Sequence, residues 1–146
     1  MTEQKRRPES VLVVVHTPSL MVLLLERVEP AGFWQSVTGS LEWGEAPIDA
    51  AARELVEETG LPPAALRDGR IARRFPILPA WRSRFAADVD SNLEHVWYLE
   101  VAAPVDVQLN ASEHRRFVWL PLSEAIEKAS SWTNRAALET LLMPTT

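Results

Sequence analysis

The chain has 146 residues, 47% of them hydrophobic and none of them cysteine, and a formal net charge of −5 at pH 7. This length favours one compact domain, and the lack of cysteine excludes disulfides, zinc–thiolate sites and thiol nucleophiles. The acidic balance argues against nucleic acid as a partner, because nucleic-acid binders present a basic face.

The N-terminal part of the sequence shows neither a secretory signal nor a membrane span. Residues 1–10 are charged and lack the apolar core of a signal peptide. Two apolar runs, 11–15 and 20–25, are separated by His-Thr-Pro-Ser, and each is far shorter than the about 20 residues that cross a bilayer. We therefore expect a soluble, cytoplasmic protein with no membrane partner.

Strand and helix signals together predict a single α/β domain. The β-branched and leucine-rich runs 10–16 and 20–26 predict a buried β-hairpin, and 33–38 predicts a third strand. Further strands are predicted over 70–78, 93–101 and 115–120, and further helices over 123–129 and 132–143. Because strands and helices are mixed rather than strictly alternating, we expect a sheet of mixed direction between helices.

The segment 47–59 has the pattern of a helix, with Pro47 at its first position and Gly60 after its end. Its apolar stripe is predicted to consist of Ile48, Ala51, Ala52, Leu55 and Thr59. Three glutamates, Glu54, Glu57 and Glu58, share a face that we expect to lie roughly opposite this stripe. Like charges about 5 Å apart, as on such a face, repel by about 3 kcal/mol at an effective dielectric near 20. The cluster therefore indicates more than a solvated surface.

The acidity of the chain is concentrated around this helix. The window 39–61 holds six acidic residues and one basic residue, and so carries the net charge of −5 of the whole chain. A loop with Gly39 and Gly44 precedes the glutamates, and hard cations such as Mg²⁺ take oxygen ligands and share them with substrate phosphates. The window therefore indicates metal-dependent chemistry on a phosphoanhydride.

The same window resembles the signature of the Nudix hydrolases, G-x5-E-x7-R-E-U-x-E-E-x-G-U, where U is a bulky aliphatic residue. The fixed positions are occupied by Gly39, Glu45, Arg53, Glu54, Leu55, Glu57, Glu58, Gly60 and Leu61. The resemblance implies a Nudix fold over the single domain 1–146, which is an α/β/α sandwich with a mixed central sheet. It also implies dependence on Mg²⁺, with Mn²⁺ as a substitute, and attack of water on a small phosphoanhydride substrate.

Roles for individual residues follow from the position of each in this signature. The resemblance places the metal on Glu54 and Glu58, often with Glu57, which is also a candidate catalytic residue. It implies that Arg53 orients these carboxylates and that Glu45 is a structural partner. The identity of the general base and the number of metal ions stay open.

The flanking residues resemble one group within this family, the dihydroneopterin triphosphate diphosphatases of folate biosynthesis. The segment 33–40, F-W-Q-S-V-T-G-S, carries the likeness, together with R-R-P at 6–8, Ser-Glu-His at 112–114 and 131–135. By position this resemblance makes Glu113 a further metal ligand and possible general base. The residues that it implies for substrate binding are Arg6, Arg27, Thr38, Phe75 and Ser131.

The leading interpretation is a Mg²⁺-dependent pyrophosphohydrolase that cleaves dihydroneopterin triphosphate into the monophosphate and pyrophosphate. An alternative keeps the chemistry but acts on a nucleoside triphosphate such as dATP or an oxidised purine nucleotide. A third interpretation is a non-catalytic Nudix-fold binding module, which the intact glutamates disfavour. The oligomeric state stays open, and a monomer is compatible with the sequence.

Overall fold

The structure is a computed structural model that describes residues 4–143, with a seven-stranded sheet at its centre. The strands are β1 (Glu9–His16), β2 (Met21–Arg27), β3 (Trp34–Gln35), β4 (Val37–Ser40), β5 (Arg67–Pro76), β6 (Ser91–Glu100) and β7 (His114–Pro121). The helices are α1 (Pro47–Thr59), α2 (Leu122–Lys128) and α3 (Trp132–Glu139), with 3₁₀ helices at Pro79–Arg84 and Thr140–Leu142. Within residues 4–143, no helix is long and apolar enough to cross a membrane.

The sheet is mixed in direction. Its main path runs β3-β2-β1-β6-β5, while β4 pairs with β1 and β7 pairs with β2. Strands β1 and β6 are parallel, and the other pairs are antiparallel. Helices cover both faces, which confirms the α/β sandwich with a mixed sheet that the sequence predicts.

Two hydrophobic cores lie on opposite faces of the sheet, because side chains alternate along each strand. On β1, Val11, Val13 and Val15 face helix α1, whereas Leu12 and Val14 face helices α2 and α3. All five are buried, so β1 is a central strand covered on both sides.

The predicted hairpin and third strand are only partly right. Strands β1 and β2 are paired at His16 and Val22, next to the turn, and then separate. The segment predicted as one strand over 33–38 enters the gap and is split at Ser36, so that β3 pairs with β2 and β4 pairs with β1. One continuous strand cannot pair with both diverging neighbours, and the break at Ser36 resolves this conflict.

The break at Ser36 is stabilised from the far end of the chain. The backbone N–H of Ser36 donates a hydrogen bond to Oδ1 of Asn134 at 2.7 Å, and Nδ2 of Asn134 donates to Oγ of Ser36 at 2.9 Å. Both residues are buried. The polar groups that leave the sheet ladder at this point are therefore satisfied by helix α3.

Candidate active site

Strand β4 and helix α1 present the glutamates of the sequence signature. Helix α1 begins at Pro47 and ends at Gly60, which has a φ of 74° and donates its backbone N–H to the carbonyl of Val56. A glycine is favoured there because other residues adopt this left-handed conformation at a cost. The helix packs against β1 and β4, which brings its glutamates to the end of the sheet.

Arg53 is the centre of an ion-pair network at this site. Its guanidinium donates two hydrogen bonds to the carboxylate of Glu45, from Nε at 2.9 Å and from Nη2 at 2.8 Å. Nη1 donates to Oε1 of Glu54 at 2.8 Å and lies 3.5 Å from Oε2 of Glu57. The hydrogen bonds to Glu45 are the main reason why the pKa of Arg53 is raised. Arg53 thus holds the carboxylate of Glu54 through a charge-assisted hydrogen bond.

The expected placement of the glutamates opposite the apolar stripe is wrong for two of them. Glu54 and Glu58 are buried, with exposures of 8% and 0%, whereas the Glu57 side chain is 53% exposed. Ile48, which was expected in the buried stripe, is 43% exposed. The helix is rotated so that Glu54 and Glu58 face the sheet beside Leu55, and the absence of a side chain at Gly39 leaves room for Glu54.

The buried carboxylate of Glu58 has unmet polar requirements. Among the described residues, neither of its oxygens has a hydrogen-bond partner. One ligand atom each from Glu58, Glu113 and His114 lie within 4.8 Å of one another. A fully buried carboxylate without partners is costly, unless a cation compensates its charge.

Burial raises the pKa values of Glu54 and Glu58. Burial raises the pKa of Glu58 well above its usual value, and the neighbouring carboxyl groups of Glu54 and Glu113 raise it further. Burial also raises the pKa of Glu54, while the positive charge and hydrogen bond of Arg53 oppose the rise. A divalent cation bound between these oxygens would reverse the shift, because it favours the ionised form. The residues therefore fit a divalent metal ion, which Nudix hydrolases generally use.

His114 lies next to this cluster but is not arranged as a metal ligand. Nε2 of the ring accepts a hydrogen bond from the amide Nε2 of Gln35 at 3.0 Å, so the ring proton lies on Nδ1. Nδ1 is 3.7 Å from Oε1 of Glu58. Burial, assisted by the positive charge of Arg27, lowers the pKa of His114 to about 4. The ring is therefore neutral near pH 7 and directs an N–H towards Glu58.

Positive charge lines the side of the cavity that faces the carboxylates. The pKa of Arg6 is lowered by burial and by the neighbouring charges of Arg84 and Arg27, and is raised by Glu54 and Glu113. Arg6 therefore lies near both the carboxylates and two other arginines. Nε of Arg27 donates to the carbonyl of Glu29 at 2.9 Å, which leaves its other donors for a ligand. Clustered arginines repel one another and attract an anion such as a polyphosphate.

The other residues expected to bind substrate line the same cavity, which has a volume of about 1470 Å³. Thr38 donates its hydroxyl to the carbonyl of Val11 at 2.9 Å, and Phe75 is half-buried on β5. Oγ of Ser131 accepts a hydrogen bond from the backbone N–H of Asn134 and so caps helix α3. The structure thus places all the residues predicted for catalysis, metal binding and substrate binding around one cavity, except Glu57 and Glu58, which are not among its lining residues.

The site predicted from the sequence did not include several residues of this cavity. Arg84 and Trp81 belong to a 3₁₀ helix that has no clear periodic pattern in the sequence. The ring of Trp81 lies 5.6 Å from the guanidinium carbon of Arg27 and is in edge contact with Phe33. The Ser-Glu-His fragment at 112–114 drew attention to His114. The contact of His114 with Gln35 could not be predicted, because the two residues are 79 positions apart in sequence.

The fold and the carboxylate-bearing helix define the class of protein. The family model described as the NUDIX domain matches residues 6–141, and the chain belongs to the family of Nudix hydrolases. The Nudix fold expected from the sequence is thereby confirmed.

The chain is also similar to individual members of this family. The chain is 38% identical over 139 residues to the dihydroneopterin triphosphate diphosphatase of Escherichia coli K12, a match that covers 92% of this chain and 91% of that one. It is 36% identical over 144 residues to the protein of the same name from Haemophilus influenzae Rd, covering 95% and 90%. The solved structure of the E. coli dihydroneopterin triphosphate pyrophosphohydrolase matches with a TM-score of 0.87 at 35% identity, over 94% of this chain and 97% of that one.

Proposed function

We propose that this chain hydrolyses dihydroneopterin triphosphate to dihydroneopterin monophosphate and pyrophosphate. Water adds across the phosphoanhydride bond between the α- and β-phosphates, so that atoms balance without another reactant. The observation that carries the proposal is the buried carboxylate of Glu58, which has no hydrogen-bond partner within residues 4–143 and lies beside Glu113. The substrate is inferred from the relatives at 36–38% identity, which are named for it.

The proposed cofactor is Mg²⁺, for which Mn²⁺ can substitute. Glu54, Glu58 and Glu113 would hold it, with Glu57 as a further ligand, because hard cations prefer several carboxylate oxygens. When bound, such a cation polarises phosphoryl oxygens and lowers the pKa of a coordinated water. Arg53 keeps Glu54 in position through the 2.8 Å hydrogen bond, and it holds Glu57 by an ion pair.

A general base is required to accept the proton of the attacking water. Glu57 and Glu113 are the exposed carboxylates of the group. Glu57 is held by Arg53 at 3.5 Å, whereas Glu113 lies against Glu58 on a turn before β7. We therefore favour Glu113 as the acceptor of the proton.

Different residues of the cavity would bind the triphosphate and the rest of the substrate. Arg6 and Arg27 would bind the triphosphate, since both direct positive charge towards the carboxylate side. Thr38 and Ser131 would contact the sugar-like side chain of the substrate, and Phe75 would form a wall for the flat pterin ring.

We also propose that residues 1–146 act as one Nudix domain, because the family match extends over 6–141. The partner is a small-molecule triphosphate, and neither nucleic acid nor a membrane is needed for the reaction. The cysteine-free sequence suits a reducing compartment, so we propose action in the cytoplasm.

A release assay tests this function. Dihydroneopterin triphosphate and each common nucleoside triphosphate are supplied separately with Mg²⁺, and pyrophosphate is scored against orthophosphate. A higher kcat/KM for the pterin, with pyrophosphate as product, supports the proposal. Equal or better turnover of a nucleotide would keep the chemistry and reject the pterin substrate, and no turnover of any substrate would favour a binding module.

A further inference from the structure

A second polar cluster lies in the same cavity, outside the carboxylate site. Glu94, Asn92 and Ser10 are buried, with exposures of 5%, 4% and 8%, and all three line the cavity. Glu94 and Asn92 are two positions apart on β6, and Ser10 is the register partner of Glu94 on β1. They therefore share the face of the sheet that helices α2 and α3 cover, whereas Glu54 and Glu58 belong to the layer of helix α1.

The cluster contains an acceptor that no protein group uses. Nδ2 of Asn92 donates to Oγ of Ser10 at 2.8 Å, which fixes the orientation of that amide. Oε1 of Glu94 is buried and has no hydrogen-bond partner in the described part of the chain. Its register partner on β5 is Arg73, whose Nη1 also lacks a partner there, and the two form no ion pair within 4.0 Å in residues 4–143. A buried acceptor in this state is costly unless a ligand supplies the missing donor.

The charge of Glu94 is also incompletely compensated. Burial raises the pKa of this carboxyl group to about 7, against the smaller opposing effects of the Thr133 hydroxyl and Arg73. Arg73 on β5 is the cation that acts on it. A donor that reaches the carboxylate would therefore be bound more strongly than one at an exposed site.

The surroundings of Glu94 suit a flat aromatic ring. Phe75 is the register partner of Asn92 and lines the same cavity, as do Phe85 and Trp81. Aromatic side chains bind flat heterocycles by stacking or edge contact, while a few placed polar groups set their orientation. Glu94 and Asn92 are the buried polar groups of β6 at this wall.

We propose that Glu94 selects the heterocycle by accepting two hydrogen bonds from the 2-amino group and the adjacent ring N–H of a 2-amino-4-oxopyrimidine ring. These two parallel donors match a carboxylate in the way that an arginine side chain does. Pterins and guanine carry this edge, whereas adenine offers a donor beside an acceptor, and hypoxanthine lacks the amino group. The inference deepens the proposed function, because it assigns the selection of the ring to one residue. It rests on the proposed function for the claim that the ring is a pterin.

Metal-free binding tests this selection without hydrolysis. Neopterin triphosphate is titrated by its fluorescence in EDTA, against the wild type, Glu94→Gln and the control Glu100→Gln, which changes an exposed carboxylate at the other end of β6. We expect Glu94→Gln to weaken binding about tenfold or more, because a donor replaces one acceptor, and Glu100→Gln to stay within about twofold. Binding by Glu94→Gln equal to the wild type would overturn the proposal.

A ligand pair separates selection from structural damage. GTP and ITP differ only in the 2-amino group, and both compete with neopterin triphosphate in the same metal-free titration. The wild type should prefer GTP about fivefold or more, and Glu94→Gln should bind the two about equally. A variant that loses affinity for both ligands but keeps the preference would show that Glu94 only supports the fold, which also overturns the proposal.

The two proposals fail separately. If the wild type prefers GTP over ITP and Glu94→Gln loses this preference, but the wild type hydrolyses no pterin triphosphate with Mg²⁺, the proposed function is wrong and the selection stands. If dihydroneopterin triphosphate is hydrolysed equally well by the wild type and Glu94→Gln, the selection is wrong and the proposed function stands.

Discussion

Gly39 lies against the carboxyl group of Glu54, so closely that a Cβ atom at Gly39 would be 2.2 Å from Cδ of Glu54. Glu54 cannot simply move aside, because Arg53 holds it at 2.8 Å. We therefore predict that Gly39→Ala displaces Glu54 and lowers kcat about tenfold or more, since catalysis is sensitive to small displacements of catalytic groups. Steady-state kinetics over a range of Mg²⁺ concentrations measure this effect.

Gly44→Ala is the matched control for this substitution. Gly44 has a φ of 83°, but nothing lies within 4 Å of a Cβ built there. We expect it to lose about 1 kcal/mol of stability through backbone strain while kcat stays near that of the wild type. If both alanine variants lowered kcat equally, the contact between Gly39 and Glu54 would not be the cause.

Glu58→Gln should lower turnover and raise the stability of the metal-free protein. The amide removes a buried charge that has no hydrogen-bond partner among residues 4–143, so we expect a gain of about 1–3 kcal/mol in EDTA. With the charge lost, kcat should fall by about a thousandfold or more. Thermal unfolding with and without Mg²⁺ adds a second measurement, because the ion should raise Tm of the wild type but not of the variant. Near-full activity with Mg²⁺ would refute the metal assignment.

Glu113→Gln tests the residue outside the sequence signature. Glu113 is exposed and its backbone carbonyl accepts a hydrogen bond from Val28, so its side chain is not needed for the fold. We predict a loss of kcat of about a hundredfold or more, as for the removal of a general base, with unchanged unfolding in EDTA. Full activity of this variant would remove Glu113 from the site.

Arg6→Ala should raise KM for the triphosphate by about tenfold, because one charge-assisted contact with a phosphate is lost. Arg74→Ala is the control, since Arg74 is exposed on β5 and is not among the residues that line the cavity. The effect of Arg6→Ala should shrink at high salt, where screening already weakens this contact in the wild type. Equal KM values for the two variants would contradict a role of Arg6 in binding the phosphates.

The stability of the protein should depend on pH through Glu94. Its pKa is about 7 in the folded state against 4.5 as the ordinary value, so the folded state binds the proton more tightly. This contribution is fully present below about pH 4.5 and is lost as the pH rises to about 7, by about 3 kcal/mol in all. Urea unfolding of the wild type and Glu94→Gln at about pH 5 and pH 8 measures it. From the lower to the higher pH, the free energy of unfolding of the variant should rise by about that amount relative to the wild type. A difference that is the same at both pH values would refute the raised pKa of Glu94.

Local patterns were sufficient to predict much of this fold and site. Helix α1 occurs where Pro47 and Gly60 predict its ends, because capping depends on adjacent residues. The signature also predicted that Arg53 lies beside Glu45 and Glu54, since these residues belong to one helix and the loop before it.

Features that depend on distant contacts could not be predicted. The rotation of α1 that buries Glu58 depends on β4 and β7, whereas periodicity alone placed the glutamates opposite the apolar stripe. Glu94 reads as an ordinary polar residue of an alternating strand, and only the packing of α3 against the sheet shows that it is buried. The pairings of β1 with β6 and β4 likewise depend on residues far apart in sequence.

The hydrogen bonds between Ser36 and Asn134 have a consequence for the order of folding. The two residues are 98 positions apart, so closing this contact costs chain entropy and requires that most of the chain be present. Until helix α3 docks, the split between β3 and β4 has an unsatisfied backbone N–H, and β4 is held to the sheet through β1. We therefore expect a nascent chain on the ribosome to lack an ordered carboxylate site until its last helix emerges. Activity is thus conditional on the emergence and docking of helix α3.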